Sequence, residues 1–238
     1  MLKRIAKFIF TATIILFPLC CSAADENFRE EDLKRENVIQ TKISNTGVSI
    51  LNSNKIDERI SFAYDKTEAK EKLKLDKALL TRQIIIYGYD YKFIEDDNEL
   101  AAMLSRRIAE GYRSYSGAFN GRLSSLKMKA APKKYQLVFD KIAVDYMVRA
   151  GYNPIAMITF INKSCPQKRN DTISHENLTS KRLAEIYEYI YTKYPYYLKN
   201  NDYFNNVHYQ NFLLTSAENR KLLQNKIKSG SKEKLKYE

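Results

Sequence analysis

NELAAMLSRRIAEGYRSY, residues 98–115, is the stretch of the chain that decides its fold. Its apolar residues recur at spacings of three and four, which predicts a helix with one apolar stripe. The stripe consists of Leu100, Ala101, Leu104, Ile108 and Tyr112. Acidic residues at Asp96, Asp97 and Glu99 favour a helix start here, because negative charge stabilises the exposed amides of a first helical turn.

Further elements are predicted downstream and just upstream of this helix. A second helix runs over residues 133–150, ends at Gly151 and is followed by a new start at Asn153-Pro154. A third helix covers residues 182–193. The β-branched run Gln83–Tyr87, which Gly88 closes, predicts one strand.

The first two helices resemble two regions of the HtpX-like and CAAX-prenyl-protease-like zinc metallopeptidases, a group that includes periplasmic BepA-type relatives. In that family the first helix reads roughly ELAAVLGHEIAH, and its His-Glu-x-x-His motif supplies two zinc ligands and the general base. An ungapped alignment places those five positions on a different set of residues here: Arg106, Arg107, Ile108, Ala109 and Glu110. The resemblance covers residues 82–198 and implies an α+β, mostly helical, zincin-like domain. The chain offers little strand-forming sequence before residue 82, so we expect a small, reduced β-sheet.

The same resemblance assigns further positions near the site. The family's third ligand comes from a Glu-x-x-x-Asp motif whose Asp orients a ligand histidine, and the matching residues are Gln136 and Asp140. The segment from His175 to Arg182 is similar to a His-Pro…Arg phrase that packs near the family's active site. Here Glu176 replaces the proline, and one extra residue precedes the arginine.

These substitutions remove the chemistry that the family uses. A catalytic zinc needs three protein ligands and a water, and a guanidinium presents only donors. Arg107 also has the wrong charge for a general base. A different site made of Glu110, Asp140 and His175 remains an alternative, but we expect no metal and no cofactor. An arginine in a pocket built for a cation can instead pair with carboxylates, so we expect Arg106 to contact Glu110, Asp140 or both, with Gln136 hydrogen-bonding nearby.

The start of the chain is typical of a secretory signal peptide over residues 1–24. Basic residues precede the short apolar run of residues 9–19, and Ser22-Ala23-Ala24 offers a cleavage site. A membrane anchor is one alternative, and a lipoprotein attached through Cys20 or Cys21 is another. Cleavage would leave Cys165 as the one cysteine and a net charge of about +9, compatible with a periplasmic or secreted protein.

The remaining segments are polar or highly charged. Residues 25–81 are interpreted as a flexible leader up to residue 55, followed by a charged helix over residues 56–80. Residues 199–238 are interpreted as a weak helix over residues 212–227 and a disordered, Lys-rich tail from residue 226. Eight tyrosines between Tyr187 and Tyr209 indicate either an aromatic binding surface or helix core with scattered surface tyrosine.

The function indicated is that of a pseudoprotease that binds extended polypeptide or an envelope protein. In the resembled family, a strand at the place of Gln83–Tyr87 borders the substrate cleft and pairs with the extended peptide, so this strand is a candidate for such pairing. An ordinary sheet strand is the alternative, because sequence alone does not distinguish an edge strand from a central one. The alternatives are an active metalloendopeptidase with a rearranged site and a structural envelope-associated protein. The basic tail favours an anionic membrane surface as a further partner, and no module for nucleic acid is recognisable.

Overall fold

The computed structural model of the chain describes residues 30–67, 82–115, 132–165 and 179–237. The chain divides into two compact units, Met1–Lys42 and Ile43–Glu238. The described part of the first unit, residues 30–42, is helical. The second unit contains all the remaining elements and the candidate site.

The described residues form helices and one small sheet, here numbered in chain order. The first elements are α1 (residues 30–53), β1 (Ser61–Asp65), β2 (Gln83–Tyr87), α2 (Gly88–Tyr91) and α3 (Asp97–Tyr115). They are followed by α4 (Pro132–Arg149), α5 (Ala156–Ser164), α6 (Thr179–Lys193), α7 (Pro195–Lys199), α8 (Val207–Thr215) and α9 (Ala217–Ser229). The mostly helical α+β class and the small sheet are thus confirmed.

The core is built around α3, which packs against α4 and α5. Leu100, Leu104 and Ile108 are completely buried, as their spacing predicts. The last residue of the expected stripe, Tyr112, is partly exposed at the end of the helix. Helix α5 is enclosed over nearly its whole length, from Ala156 to Asn162, so it is the central helix of the unit.

The two strands lie side by side and run parallel, with Ser61 opposite Gln83 and Asp65 opposite Tyr87. Strand β2 confirms the expected strand. Strand β1 shows that the expected helix over residues 56–80 is wrong where the structure describes it. Ile60 and Phe62 are buried on either side of the exposed Ser61, which is the two-residue period of a strand, whereas the spacing of Ile60 and Ala63 had indicated a helix. The rest of that expected helix, residues 68–80, lies outside the described residues.

The expectation of a flexible leader is also wrong, because residues 30–53 are helical. Ile43 and Ile50 are fully buried, and Thr46 between them is nearly so. Gly47 allows a close approach, since a Cβ atom there would lie 2.5 Å from the ring of Phe62 in β1. A stripe interrupted by a threonine and a glycine carries little hydrophobic periodicity, so the burial that stabilises α1 leaves a weak signal in the sequence.

The C-terminal region is more ordered than the sequence indicates. Two helices, α8 and α9, replace the single weak helix, and α9 ends at Gly230, whose φ of 64° suits a left-handed cap. The expected disordered tail is wrong at its far end, where Tyr237 is buried and its hydroxyl donates to Glu188 Oε2 at 2.8 Å. In the described part of the chain, no helix is both long and apolar enough to cross a membrane.

Candidate functional site

The candidate site is centred on Asp140, a carboxylate that α4 holds completely inside the protein. Two arginines from neighbouring helices donate to it. Arg106 of α3 places Nε 3.1 Å from Oδ1. Arg182 of α6 places Nε 2.7 Å from Oδ2 and Nη2 2.9 Å from Oδ1. Three helices therefore meet at one carboxylate, here called the arginine–aspartate cluster: Arg106, Asp140 and Arg182.

Arg182 is the more deeply placed of the two cations, with a side chain that is 7% exposed against 18% for Arg106. Burial works to lower the pKa of Arg182, but the charge of Asp140 and the hydrogen bonds to it outweigh burial and raise that pKa. The guanidinium therefore stays charged. A bidentate geometry of this kind is stronger than a single hydrogen bond, because two parallel N–H groups match the two carboxylate oxygens.

The expected ion pair of Arg106 with Asp140 is confirmed. Glu110 lies one turn further along α3, and its Oε2 is 3.9 Å from Arg106 Nη1, which is an ion pair without hydrogen-bond geometry. Within the described residues, Gln136 makes no hydrogen bond to either Arg106 or Asp140, so that part of the expectation is wrong. Asp140 instead accepts three hydrogen bonds from Arg106 and Arg182.

Of the five residues that align with the family's His-Glu-x-x-His motif, the middle three, residues 107–109, point away from the arginine–aspartate cluster. Arg107 pairs with Asp90 of α2, whose Oδ2 is 3.1 Å from Nη2. Ile108 and Ala109 are buried in the hydrophobic core, the latter beside Phe139. Helical geometry explains this division, because residues four apart share a face whereas their immediate neighbours do not.

The residues at these positions do not fit zinc. Both oxygens of Asp140 are occupied by arginine donors, and a guanidinium cannot coordinate a metal. Among the described residues, no group of three or more His, Cys, Asp or Glu side chains comes together to hold a metal ion. His175 lies outside the described residues. The other histidine, His208, lies 3.9 Å from Glu95 on the surface.

A second polar cluster, which the sequence interpretation missed, lies at the start of α3. Glu99 is completely buried, and its carboxylate accepts from Thr159 at 2.7 Å and from Lys163 at 2.6 Å. The amide of Glu99 in turn donates to Asp96 Oδ1 at 2.8 Å. The spacing of Asp96 and Glu99 is that of a capping box, a signal present in the sequence. Nothing in the sequence shows that Lys163 is buried opposite Glu99.

The tyrosine-rich region is mostly occupied by contacts within the protein. Tyr189 and Tyr194 both donate to Asp145, at 2.9 and 2.8 Å. Tyr203 donates to Asp96 at 2.6 Å, and Tyr209 packs on Phe212. This favours helix core with scattered surface tyrosine over a dedicated aromatic binding surface.

A second candidate feature is the outer edge of β2, the edge that faces away from β1. The Ser61 amide donates to the carbonyl of Arg82 at 3.1 Å. In a parallel ladder, alternate residues of a strand direct their backbone amide and carbonyl to the same neighbouring strand. The backbone groups of Ile84 and Ile86 therefore point to β1, and those of Ile85 point to the opposite edge of β2. In the described part of the chain, the sheet has two strands, and none lies beside that outer edge.

No family model, no curated protein and no solved structure matches this chain. The resemblance to zinc metallopeptidases therefore rests on the quoted residues.

Proposed function

We propose that this protein is a non-catalytic relative of the zinc metallopeptidases, a pseudoprotease that binds extended polypeptide. The observation that carries the proposal is the arginine–aspartate cluster. Arg106 stands where the resembled family has its first zinc ligand, and it pairs with Asp140 at 3.1 Å. A positive side chain thus stands in place of a zinc ligand and pairs with the aspartate that, in the resembled family, orients a ligand histidine.

Loss of hydrolysis follows from the chemistry of these residues. Metal-assisted peptide cleavage needs a bound water and a base that accepts its proton. Arg107 occupies the position of the base and is paired with Asp90, and its protonated guanidinium does not accept a proton. Glu110, at the position of the family's second histidine ligand, carries a carboxylate whose Oε2 lies 3.9 Å from Arg106 Nη1.

Binding of polypeptide is supported by the outer edge of β2. A segment that adds a strand to a sheet edge is held by backbone hydrogen bonds, so this mode of binding is independent of a catalytic metal. Ile85 directs its amide and carbonyl to that edge. Strand β2 also contacts α3, the helix that carries the substituted frame. A bound segment would thus lie along the same element that borders the substrate in the resembled family.

The first experiment measures metal content and proteolysis together. Elemental analysis of the purified protein, beside a casein cleavage assay with and without chelator, is expected to give no stoichiometric zinc and no chelator-sensitive cleavage. One molar equivalent of zinc with activity lost on chelation would instead show an active metalloendopeptidase with a rearranged site.

The second experiment measures binding of fluorescently labelled, unfolded casein by anisotropy. Ile85→Pro removes the outward amide of β2, whereas Ile85→Ala shortens the side chain and keeps that amide. We expect the proline variant to bind about tenfold more weakly than the alanine variant, because backbone hydrogen bonds at the edge are lost. Equal affinities in two variants of equal thermal stability would argue against strand addition, and an absence of casein binding by the parent would remove the proposed function.

The proposal includes export to the periplasm or the exterior, which rests on residues 1–24 of the sequence. Mass spectrometry of the exported protein is expected to show a chain that starts near Asp25. A chain that retains Met1 in the membrane fraction would show an anchor instead.

A further inference from the structure

The C-terminal segment forms a closed loop whose two ends meet at one carboxylate. Glu188 of α6 accepts from Lys226 Nζ at 2.9 Å through Oε1 and from the Tyr237 hydroxyl at 2.8 Å through Oε2. Residues 226–237 lie between these two anchors and are here called the lysine loop. The loop is therefore held against α6 at both ends, and its lysines project from a defined place on the surface.

Four exposed lysines occupy the loop between the anchors: Lys228, Lys232, Lys234 and Lys236. The structure places none of them in an ion pair with a described carboxylate. The core helices differ, because there Arg106, Lys141 and Lys163 each pair with an acidic residue. Glu233 is the one acid within residues 226–237, so the loop carries an excess of positive charge. Such a cluster attracts a polyanionic surface.

Apolar side chains accompany the lysines. Ile227 at the start of the loop is 44% exposed, and Leu222 on the preceding turn of α9 is 43% exposed. Leu235 is partly exposed within the loop. Aliphatic residues beside lysines suit the boundary between lipid headgroups and acyl chains, where the ammonium groups meet the headgroups.

Nucleic acid is a poorer match to the same residues. The loop contains lysine but no arginine, and arginine is the residue that recognises phosphate and base edges by a bidentate fork. The aromatic residue of the loop, Tyr237, is buried against α6 and is not available to stack on a base.

From these observations we propose that the lysine loop is a docking surface for an anionic lipid bilayer. Its lysines contact acidic headgroups, while Ile227 enters the interface. Docking by this loop does not depend on polypeptide binding at β2, which lies in a different part of the fold.

The test is cosedimentation of the purified exported protein with vesicles. One set contains phosphatidylcholine with about one third phosphatidylglycerol, and the other contains phosphatidylcholine alone. We expect binding to the anionic vesicles that weakens as salt is added, because salt screens the attraction. An absence of binding to the anionic vesicles would overturn the proposal.

Two variants with equal loss of charge test the place of contact. Lys228→Gln with Lys232→Gln should weaken partitioning about 20-fold, because each lysine near an anionic surface contributes about fivefold. Lys55→Gln with Arg59→Gln, on the approach to β1, should change it by less than about threefold. Equal effects of both pairs would show that net charge, rather than the loop, drives binding. Tighter binding to a short DNA duplex than to anionic vesicles at equal salt would overturn the choice of lipid.

Discussion

Arg182 and Asp140 form a bidentate ion pair, with Nε 2.7 Å from Oδ2 and Nη2 2.9 Å from Oδ1. The pair ties α6 to α4 inside the core, where the Asp140 side chain is 1% exposed. A carboxylate at such a depth needs partners, because the free energy of transfer of an unpaired charge from water is high. Arg182 donates two hydrogen bonds to this carboxylate and Arg106 donates one, so we expect their replacement to lower the free energy of unfolding by different amounts.

Arg182→Ala is expected to lower the free energy of unfolding by roughly 3–5 kcal/mol, because it removes two of the three arginine hydrogen bonds that the buried Asp140 accepts. Urea denaturation followed by circular dichroism measures the change. Arg182→Lys is the control, since it keeps a positive charge beside Asp140 but loses the bidentate geometry, so it should cost less than Arg182→Ala. An Arg182→Lys protein as unstable as Arg182→Ala would contradict the account.

Arg106→Ala is expected to cost less, about 1–3 kcal/mol, because Asp140 keeps Arg182 as a partner. The same denaturation experiment gives the value. Glu110→Ala is the matched comparison on the same face of α3, and we expect less than about 1 kcal/mol since its contact with Arg106 is 3.9 Å long. The predicted order of losses is Arg182, then Arg106, then Glu110, and a different order would show that the cluster is arranged otherwise in solution.

Glu99→Gln should destabilise the protein by about 3 kcal/mol, because it leaves Lys163 buried without its nearest charge partner. Glu95 contacts the same lysine at 3.2 Å but is 57% exposed, so Glu95→Gln is expected to cost less than about 1 kcal/mol. Thermal unfolding of the two variants under identical conditions compares them. Similar losses of stability in the two variants would indicate that water reaches Lys163 and solvates its charge when Glu99 is neutralised.

Gly47→Ala is expected to destabilise the protein by about 1–3 kcal/mol, although alanine normally stabilises a helix relative to glycine. The reason is the ring of Phe62, which lies 2.5 Å from the position of an added Cβ atom. Adding Phe62→Leu should reverse part of the loss, because the smaller side chain leaves room. Denaturant midpoints of the single and double variants test this, and a more stable Gly47→Ala protein would refute the close approach.

The lysine loop is expected to loosen in acid. Burial raises the pKa of Glu188, but hydrogen bonds from Lys226 and Tyr237 and nearby lysine charge outweigh this effect and lower it overall. Because the pKa of Glu188 in the folded protein lies below its ordinary value of 4.5, the ionised carboxylate stabilises the fold above about pH 4.5. This stabilisation is lost as the pH falls through the folded-state pKa. Hydrogen exchange of residues 231–237 should be faster in Glu188→Gln than in the parent at about pH 6, and the difference should shrink as the pH falls below 4.5. Identical exchange in the two proteins at the higher pH would contradict the anchor.

Strong periodicity accounts for what could be predicted of the fold. Leu100, Leu104 and Ile108 define α3, and the β-branched run of β2 defines a strand. Helix α1 and strand β1 escaped prediction because each carries only a short or interrupted apolar pattern, and the close approach of Gly47 to Phe62 is not encoded within either segment. Local sequence carries little information about such tertiary contacts.

Helical spacing and the family alignment predicted part of the site. Arg106 and Glu110 share a face of α3 by their spacing, and the family frame indicated Asp140 as a neighbour. The bidentate pair of Arg182 with Asp140 joins residues that are far apart in the chain, and no periodicity encodes that contact. The same holds for the hydrogen bond from Tyr237 to Glu188, which holds in place a segment that we had expected to be disordered.

The parallel pairing of β1 with β2 has a consequence for how the chain folds. A tight hairpin turn cannot join parallel strands, so the chain has to return from the end of β1 to the level where that strand began before β2 starts. The entropy of closing this excursion is lost before any strand hydrogen bond repays it. Helical turns need no such closure, so α3 and α4 can form first and provide a surface on which the sheet assembles late.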